Sequence, residues 1–214
     1  MPDFSLELRC PAPVVGIDEA GRGPWAGPVV AAAVILDSGR LPPSLLHGLD
    51  DSKKLSAKRR EELFAALPDY ALIGVGQADV DEIDRLNILR ATLCAMARAV
   101  TVLGATPAMA LVDGNQPPDL PCPVRCVVGG DGISLSIAAA SIVAKVTRDR
   151  LMTGLDLEFP VYGWRTNAGY GTREHRAALD RHGVTPHHRR SFAPIRRLVA
   201  LLDVESEDSE DSHI

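Results

Sequence analysis

The sequence predicts an α/β fold with a mixed sheet, because short β-branched apolar runs alternate along the chain with segments of helical periodicity. The chain has 214 residues, of which 46% are apolar, enough for one sizeable hydrophobic core. It is too short for two full-sized domains joined by a linker. We therefore expect a single domain over residues 1–202 and an acidic, disordered tail over 203–214.

The N-terminal half predicts three strands and two helices. The strand segments are residues 13–18, 28–36 and 70–77, each rich in β-branched apolar residues. A Gly-rich stretch at 21–27 separates the first two and indicates a tight connection. Ser56 precedes apolar residues at helical spacing, which predicts a helix start there. Apolar residues recur every three to four positions over 80–103, which predicts one long amphipathic helix lying across the sheet.

The C-terminal half predicts two further strands and three helices. Residues 109–113 and 124–128 are short apolar strands. Residues 134–150 form a helix rich in alanine, whose small side chains allow close approach to the sheet. Two more helices are predicted near 172–182 and 194–202.

Composition argues against export and against a zinc site. No apolar run approaches the roughly 18 residues of a membrane helix, and the N-terminus lacks a basic start followed by an apolar stretch. We expect a cytoplasmic protein without a membrane partner. The four cysteines lack paired CxxC spacing, which favours reduced thiols over metal ligands.

Charge is distributed unevenly along the chain. The net charge is −5, but the tail carries six acids, without which 22 acidic residues face 23 Lys and Arg. Between residues 173 and 197, seven arginines and four histidines face two acids. Such a segment is either a solvated helix face or a track for nucleic-acid phosphates. The residues predicted to make those contacts are His187, His188, Arg189 and Arg190.

Four acids follow predicted strands: Asp18, Glu19, Asp113 and Asp131. If the strand ends converge at one edge of the sheet, the like charges are costly unless cations neutralise them. Oxygen ligands favour Mg²⁺ or Mn²⁺, and two such ions can hydrolyse a phosphodiester.

Each acid also has a local structural interpretation. Asp113 precedes Gly114 and suits a turn, and Asp131 suits a helix cap. Strand alternation sends Asp18 and Glu19 to opposite faces, so joint ligation requires the strand to end or bulge there. If all four acids were turns and caps, the chain would be a nucleic-acid-binding module without catalysis. A phosphatase acting on small molecules is a third alternative, although it gives the basic segment no role.

Six strings in this chain resemble successive motifs of bacterial ribonuclease HII, a type 2 ribonuclease H. They are GIDEAGRGPWAGPVVAAAV, DSKKLS, EIDRLNILRAT, LVDGN, GDGISLSIAAASIVAKVTRDR, and YGW followed by GYGTREH. The resemblance implies a ribonuclease H-like fold, with a central mixed five-stranded sheet flanked by helices and a helical C-terminal part. It also implies a monomeric endoribonuclease that uses two Mn²⁺ or Mg²⁺ ions on RNA/DNA hybrids and on single ribonucleotides in duplex DNA.

The resemblance also assigns roles to individual residues. It makes Asp18, Glu19, Asp113 and Asp131 the catalytic metal ligands. It places Gly21, Arg22 and Gly23 at the ribonucleotide, Tyr170 at the sugar of the junction, and Ser52 and Lys53 near the substrate backbone. This chain has Ala168 where many relatives carry lysine, and Trp164 where phenylalanine is common. Only 13 residues precede Val14, so we expect no additional N-terminal domain of the kind found in type 3 enzymes.

Overall fold

The structure is a computed structural model, and it describes residues 1–200. The predicted acidic tail and the last two residues of the helix predicted over 194–202 lie outside the described residues; residues 193–200 are helical. Among the described residues, no helix is both long enough and apolar enough to cross a membrane.

A mixed five-stranded sheet forms the centre of the molecule, as predicted. Its strands are β1 (Val14–Ala20), β2 (Val29–Leu36), β3 (Ala71–Ala78), β4 (Met109–Asp113) and β5 (Val124–Val127), in the order β3-β2-β1-β4-β5. β1 pairs antiparallel with β2, and β2 with β3, whereas β1, β4 and β5 run parallel. The carboxyl ends of the three parallel strands therefore meet at one edge, where ligands bind in α/β sheets.

Seven α-helices within residues 1–192 surround the sheet. They are α1 (Pro43–Leu46), α2 (Ala57–Ala66), α3 (Val80–Leu86), α4 (Ile88–Thr101), α5 (Leu135–Glu158), α6 (Trp164–Asn167) and α7 (Arg173–His182). Side-chain oxygens cap three predicted starts: Ser56 accepts from the Arg59 N–H, Ser134 from Ile137 and Thr172 from His175. α5 continues to Glu158, eight residues past the predicted end, because Met152 is buried against Trp164 in a separate apolar cluster.

The single helix predicted over 80–103 is wrong at Asn87. That residue has φ 69° and ψ 160°, so the helical hydrogen-bond ladder stops there. Its side chain then accepts from the Arg90 N–H at 3.1 Å and begins α4, while Asp79 caps α3. Asparagine tolerates positive φ and competes locally for backbone groups. Apolar spacing continues on both sides of the break, so periodicity alone could not reveal it.

Two helices sandwich the sheet. α4 packs on one face, where Ala91, Ala95 and Ala99 meet Val15 and other β-strand residues. α5 packs on the other face, and Gly16 brings the two backbones into contact. A Cβ at Gly16 would lie 2.1 Å from the Ser136 carbonyl carbon, closer than packing allows. The close approach predicted for the alanine-rich helix is confirmed.

Candidate active site

The parallel strands bring the four predicted acids to one edge of the sheet. Asp18 and Glu19 lie near the end of β1, Asp113 is the last residue of β4, and Asp131 lies in a 3₁₀ turn, Gly130–Gly132, just after β5. The strand end or bulge expected at Asp18 is absent on the β2 side, where Asp18 and Glu19 pair regularly with Ala32 and Ala31. On the β4 side the pairing stops at Ile17. The strand therefore opens toward Asp113 without a bulge.

Burial makes ionisation of these acids unfavourable. Asp18 is only 4% exposed, and its burial raises its pKa well above the usual value, with the charges of Glu19 and Asp113 adding to the effect. Burial also raises the pKa of Glu19, although the Arg22 guanidinium, 3.3 Å from its carboxylate, opposes the shift. Burial and the charges of Asp51 and Asp113 raise the pKa of Asp131. A cation at this edge would relieve the repulsion.

Hydrogen bonds hold the acids in place. Asp18 accepts from the Glu19 N–H at 2.7 Å, and Asp113 accepts from the Gly130 N–H at 2.7 Å. The second bond ties the end of β4 to the turn that carries Asp131. The Lys53 ammonium lies 3.9 Å from Asp131 and 4.0 Å from Asp51, so it supplies some positive charge to the cluster. Asp51 is an acid at this site that sequence reasoning missed.

The donor chemistry suits hard divalent cations, because every candidate ligand is a carboxylate oxygen. The arrangement of the side chains is not yet that of a metal site. Within residues 1–200, no group of three or more His, Cys, Asp or Glu side chains is placed to hold an ion.

A cleft of about 310 Å³ lies beside the acids. It is lined by seven predicted residues: Glu19, Gly21, Arg22, Gly23, Ser52, Lys53 and Tyr170. Tyr170 is 49% exposed, and a Cβ on Gly23 would lie 3.3 Å from the edge of its ring. The loop after β1 and the Tyr170 ring thus form adjacent walls of one cleft. A larger groove of about 850 Å³, lined by residues such as Phe64, Leu151 and His187, includes none of the four acids.

Three cleft residues on α5 were missed by the sequence analysis: Ser141, Lys145 and Arg148. Their spacing of four and three residues places them on one helical face, a signal that could have been recognised. The Ser141 hydroxyl donates to the Ser52 hydroxyl at 2.9 Å, which joins α5 to the loop carrying Lys53. Lys145 pairs with Asp149 at 2.7 Å.

The predicted contact segment 187–190 requires correction. His188 is 1% exposed and Arg189 is 0% exposed, so neither side chain reaches a duplex on the surface. Both side chains instead form hydrogen bonds inside the protein, His188 with His175 and Arg189 with the Gly27 carbonyl. Arg190 is exposed, and its backbone N–H donates to Asp84 at 2.8 Å. For Arg190 the phosphate contact stays a prediction; His187 is half-buried and lines the larger groove.

The buried histidines His175 and His188 form a hydrogen-bonded pair that contacts the backbone of Tyr170. The His175 Nδ1–H donates to the Tyr170 carbonyl at 2.9 Å, so the unprotonated Nε2 is an acceptor, and the Trp164 Nε1–H already donates to it at 3.3 Å. The Thr185 N–H donates to His188 Nδ1 at 2.9 Å, which leaves the proton of neutral His188 on Nε2. His188 Nε2–H then donates to His175 Nε2 at 3.1 Å. The network assigns one tautomer to each ring and requires both to be uncharged.

Acidification should therefore weaken the fold through this pair. Burial lowers the pKa of His188 from 6.5 to about 3, and burial lowers that of His175 as well. On acidification the histidines of the unfolded chain bind protons at a higher pH than the buried rings of the native protein do. The contribution of the neutral pair to stability is therefore complete above pH 6.5 and is lost as pH falls toward about 3. The loss is at most about 1.4 kcal/mol per pH unit for each ring.

The measurement is urea unfolding at several pH values for wild type, His188→Gln and, as a control, His47→Gln at the exposed end of α1. The His188→Gln variant should be less stable near neutral pH and should lose less stability on acidification than wild type. Parallel stability profiles for wild type and His188→Gln would contradict the assignment.

Comparison with known proteins agrees with this geometry. Residues 15–195 match the family model described as Ribonuclease HII. The ribonuclease HII of Paramagnetospirillum magneticum is 66% identical over 195 residues, covering 91% of this chain and 97% of that protein. The chain belongs to the ribonuclease HII family. The ribonuclease H2 of Pyrococcus horikoshii OT3 superposes with a TM-score of 0.72 at 28% identity, over 86% of this chain and 96% of that one.

A more distant solved structure shares the fold. The Bst ribonuclease HIII, in complex with Mn²⁺, superposes with a TM-score of 0.68 at 19% identity, covering 88% of this chain and 69% of that one. Membership of the ribonuclease HII family makes the protein a hydrolase of the ribonuclease H type, an endoribonuclease that acts on RNA/DNA hybrids. Nucleic acid is thus its partner, as the resemblance implied.

Proposed function

We propose that the protein cuts RNA in hybrids and also cuts on the 5′ side of single ribonucleotides in duplex DNA, leaving 5′-phosphate and 3′-hydroxyl ends. The observation that carries the proposal is the shared cleft. Glu19, one of the four acids at the ends of the parallel strands, lines the same cleft as the Gly21–Gly23 loop and Tyr170. Chemistry and recognition of a ribonucleotide can therefore take place in one cleft.

Two Mg²⁺ or Mn²⁺ ions, when bound, would activate a water and stabilise the leaving oxygen of the phosphodiester. Asp18, Glu19, Asp113 and Asp131 would hold them, an assignment supported by their carboxylate oxygens, which suit hard divalent cations; a protein with this fold also forms a complex with Mn²⁺. The raised pKa values of Asp18 and Asp131 support it further, because buried like charges need a counterion. Ions would also compete with protons for these carboxylates, so activity should fall on acidification.

The remaining cleft residues would bind and orient the substrate. Ser52 and Lys53 would contact its backbone near the acids, and the exposed Lys53 ammonium suits a phosphate. Arg190 and the exposed arginines of the 173–197 segment would extend this contact along the duplex. We propose that residues 1–202 act as one catalytic unit and that the protein is a monomer.

A binding module without catalysis is the alternative function, and metal dependence separates the two. A binding module holds duplex equally well in EDTA and never forms product. The enzyme proposed here forms product only with Mg²⁺ or Mn²⁺. A phosphatase for small molecules would leave duplex substrates intact under all of these conditions.

Tyr170 should determine the preference for a single ribonucleotide. Its exposed ring beside Gly23 would pack on the sugar that follows the ribonucleotide, and a deoxyribose fits there better than a ribose. We expect Tyr170→Ala to lower kcat/KM on a single-ribonucleotide duplex at least about tenfold more than on a continuous hybrid, which corresponds to about 1.4 kcal/mol.

The matched variants are Tyr170→Phe, which keeps the ring, and Tyr70→Phe at the start of β3, outside the cleft. Tyr170→Phe should retain most of what Tyr170→Ala loses, and Tyr70→Phe should match wild type on both substrates. If Tyr170→Ala and wild type gave the same ratio of kcat/KM on the two substrates, Tyr170 would have no part in selectivity.

A further inference from the structure

Two arginines are buried next to the cleft. Arg148 is 1% exposed and Arg189 is 0% exposed. Within residues 1–200 neither forms an ion pair; their guanidinium groups donate only to backbone carbonyls. Burial lowers their pKa values to about 10 and about 9, so both remain cationic at neutral pH. Burying a cation without a carboxylate is costly, which points to a role other than stability.

Arg148 connects the two recognition walls of the cleft. Its Nε and Nη2 groups donate to the carbonyls of Pro28 and Ala26 at 2.9 and 3.1 Å, in the loop between β1 and β2. Its Nη1 donates to the Ala168 carbonyl at 2.9 Å, two residues before Tyr170. One guanidinium thus fixes the distance between that loop and the Tyr170 turn.

Arg189 forms hydrogen bonds with the same loop closer to the cleft. Its Nη2 donates to the Gly21 carbonyl at 2.6 Å and its Nη1 to the Arg22 carbonyl at 3.0 Å. Its Nε donates to the Gly27 carbonyl at 2.9 Å. The rigid fork of a guanidinium can hold several carbonyls at once, which a lysine ammonium on a flexible stem does less well.

The hydrogen bonds of Arg189 to the Gly21 and Arg22 carbonyls set the direction of the N–H groups of Arg22 and Gly23. In a planar trans peptide, the carbonyl of one residue and the N–H of the next point in opposite directions. With the Gly21 and Arg22 carbonyls directed at Arg189 inside the protein, the N–H groups of Arg22 and Gly23 are directed away from it. In the part of the chain that the structure describes, no acceptor is hydrogen bonded to either N–H. Both residues line the cleft.

The absence of a side chain at Gly21 leaves room for Arg148. Its φ is +95°, and a Cβ there would lie 1.9 Å from the Arg148 Nε. The Arg148 side chain fills the space that a side chain at residue 21 would take. Only glycine at this position therefore leaves room for the arginine.

We propose that Arg148 and Arg189 are positioning residues that aim the N–H groups of Arg22 and Gly23 at the ribose 2′-hydroxyl and hold the Tyr170 ring at a fixed distance from them. The inference rests on the proposed function, since it assumes that this cleft distinguishes ribose from deoxyribose. Neither arginine touches substrate; both act through the loop and turn that they hold.

The test measures discrimination in binding, apart from catalysis. Wild type, Arg148→Lys, Arg189→Lys and the control Arg40→Lys, an exposed arginine before α1, are titrated in EDTA with two duplexes. One duplex is DNA with a single ribonucleotide and the other is the same duplex with deoxyribose throughout. We expect the ratio of the two Kd values to fall at least about fivefold in both cleft variants and to be unchanged in Arg40→Lys. Affinity for the all-DNA duplex should stay within about twofold of wild type.

The outcomes separate the inference from the proposed function. A wild type that binds both duplexes equally well overturns the proposed selectivity of the cleft, and the inference with it. A wild type that discriminates, together with folded lysine variants that discriminate as well as it does, overturns the inference alone. An equal loss of affinity for both duplexes would show general destabilisation and would also contradict it.

If the lysine variants do not fold, wild type alone decides the matter. Amide signals of Arg22 and Gly23 are followed by NMR as each duplex is added in EDTA. The single-ribonucleotide duplex should protect both amides from hydrogen exchange more than the all-DNA duplex does. Equal protection by the two duplexes would show that these N–H groups do not contact the 2′-hydroxyl.

Discussion

Asp18→Asn should reduce the rate of cleavage at least about 10³-fold and, at the same time, stabilise the metal-free protein. Loss of one carboxylate ligand removes transition-state stabilisation of several kcal/mol, about 4 kcal/mol for a factor of 10³. Asp113→Asn and Asp131→Asn should reduce the rate similarly. Near-normal turnover by Asp113→Asn at ordinary metal concentration would show that this acid is not a ligand.

The gain in stability follows from the buried charge. The pKa of Asp18 is raised above its usual 3.8, so the native carboxyl binds a proton more tightly than the unfolded one. Its contribution to stability is complete below pH 3.8 and is lost as pH rises through the raised pKa. Asparagine carries no charge, so the variant avoids this loss. We expect a gain in stability at neutral pH, and each 1 kcal/mol of it would raise Tm by about 2–4 °C.

Thermal unfolding in EDTA at acidic and at neutral pH measures this effect, with Asp69→Asn, an exposed acid outside the cleft, as the control. The difference in Tm between Asp18→Asn and wild type should grow with pH, and the control should show no such trend. A variant that loses activity and stability together at neutral pH would indicate a structural role for Asp18 instead of a ligand held under electrostatic strain.

Gly16→Ala should destabilise the fold strongly. The added Cβ would lie 2.1 Å from the Ser136 carbonyl carbon and 2.4 Å from the Ile137 nitrogen, so backbone would have to move. Overpacking of this kind costs about 3 kcal/mol, or roughly 6–12 °C in Tm for a chain of this size. The displacement would also separate β1, which carries Asp18, from α5, which carries Ser141. Activity should therefore fall even at temperatures where the variant is folded.

Gly154→Ala is the matched control within α5. No atom lies within 4 Å of the Cβ that it would add, and alanine is the better helix former. It should stabilise the protein by about 0.5–1 kcal/mol. If calorimetry gave the two alanine variants shifts of the same sign, the close contact between β1 and α5 would not be the cause of the Gly16 effect.

The parts of the fold that depend on local pattern could be predicted from sequence. Strand runs ending in Asp18 and Asp113 placed the acids correctly, because parallel strands align their carboxyl ends. Caps at Ser56, Ser134 and Thr172 followed from residue type. The break at Asn87 was missed because one residue with positive φ leaves the apolar spacing on both sides intact.

The interior of the recognition site could not be predicted in the same way. Arg189 was interpreted as a surface contact because charged side chains are usually solvated. Its burial depends on the Gly21 carbonyl, 168 residues earlier in the chain. Asp51 and Ser141 likewise join the site only through tertiary contacts, with Asp131 and Ser52 respectively. Single-sequence patterns carry no information about partners so distant.

We propose that this cleft cuts at a ribonucleotide with the help of divalent ions. The most direct measurement uses an end-labelled DNA duplex with one ribonucleotide, incubated with EDTA, Mg²⁺ or Mn²⁺, and maps the cut at single-nucleotide resolution. We expect one product, cut on the 5′ side of the ribonucleotide, with a 3′-hydroxyl on the upstream fragment, and only when an ion is present. Cleavage in EDTA, a cut at another position, or an intact duplex alongside efficient cleavage of a continuous hybrid would contradict it.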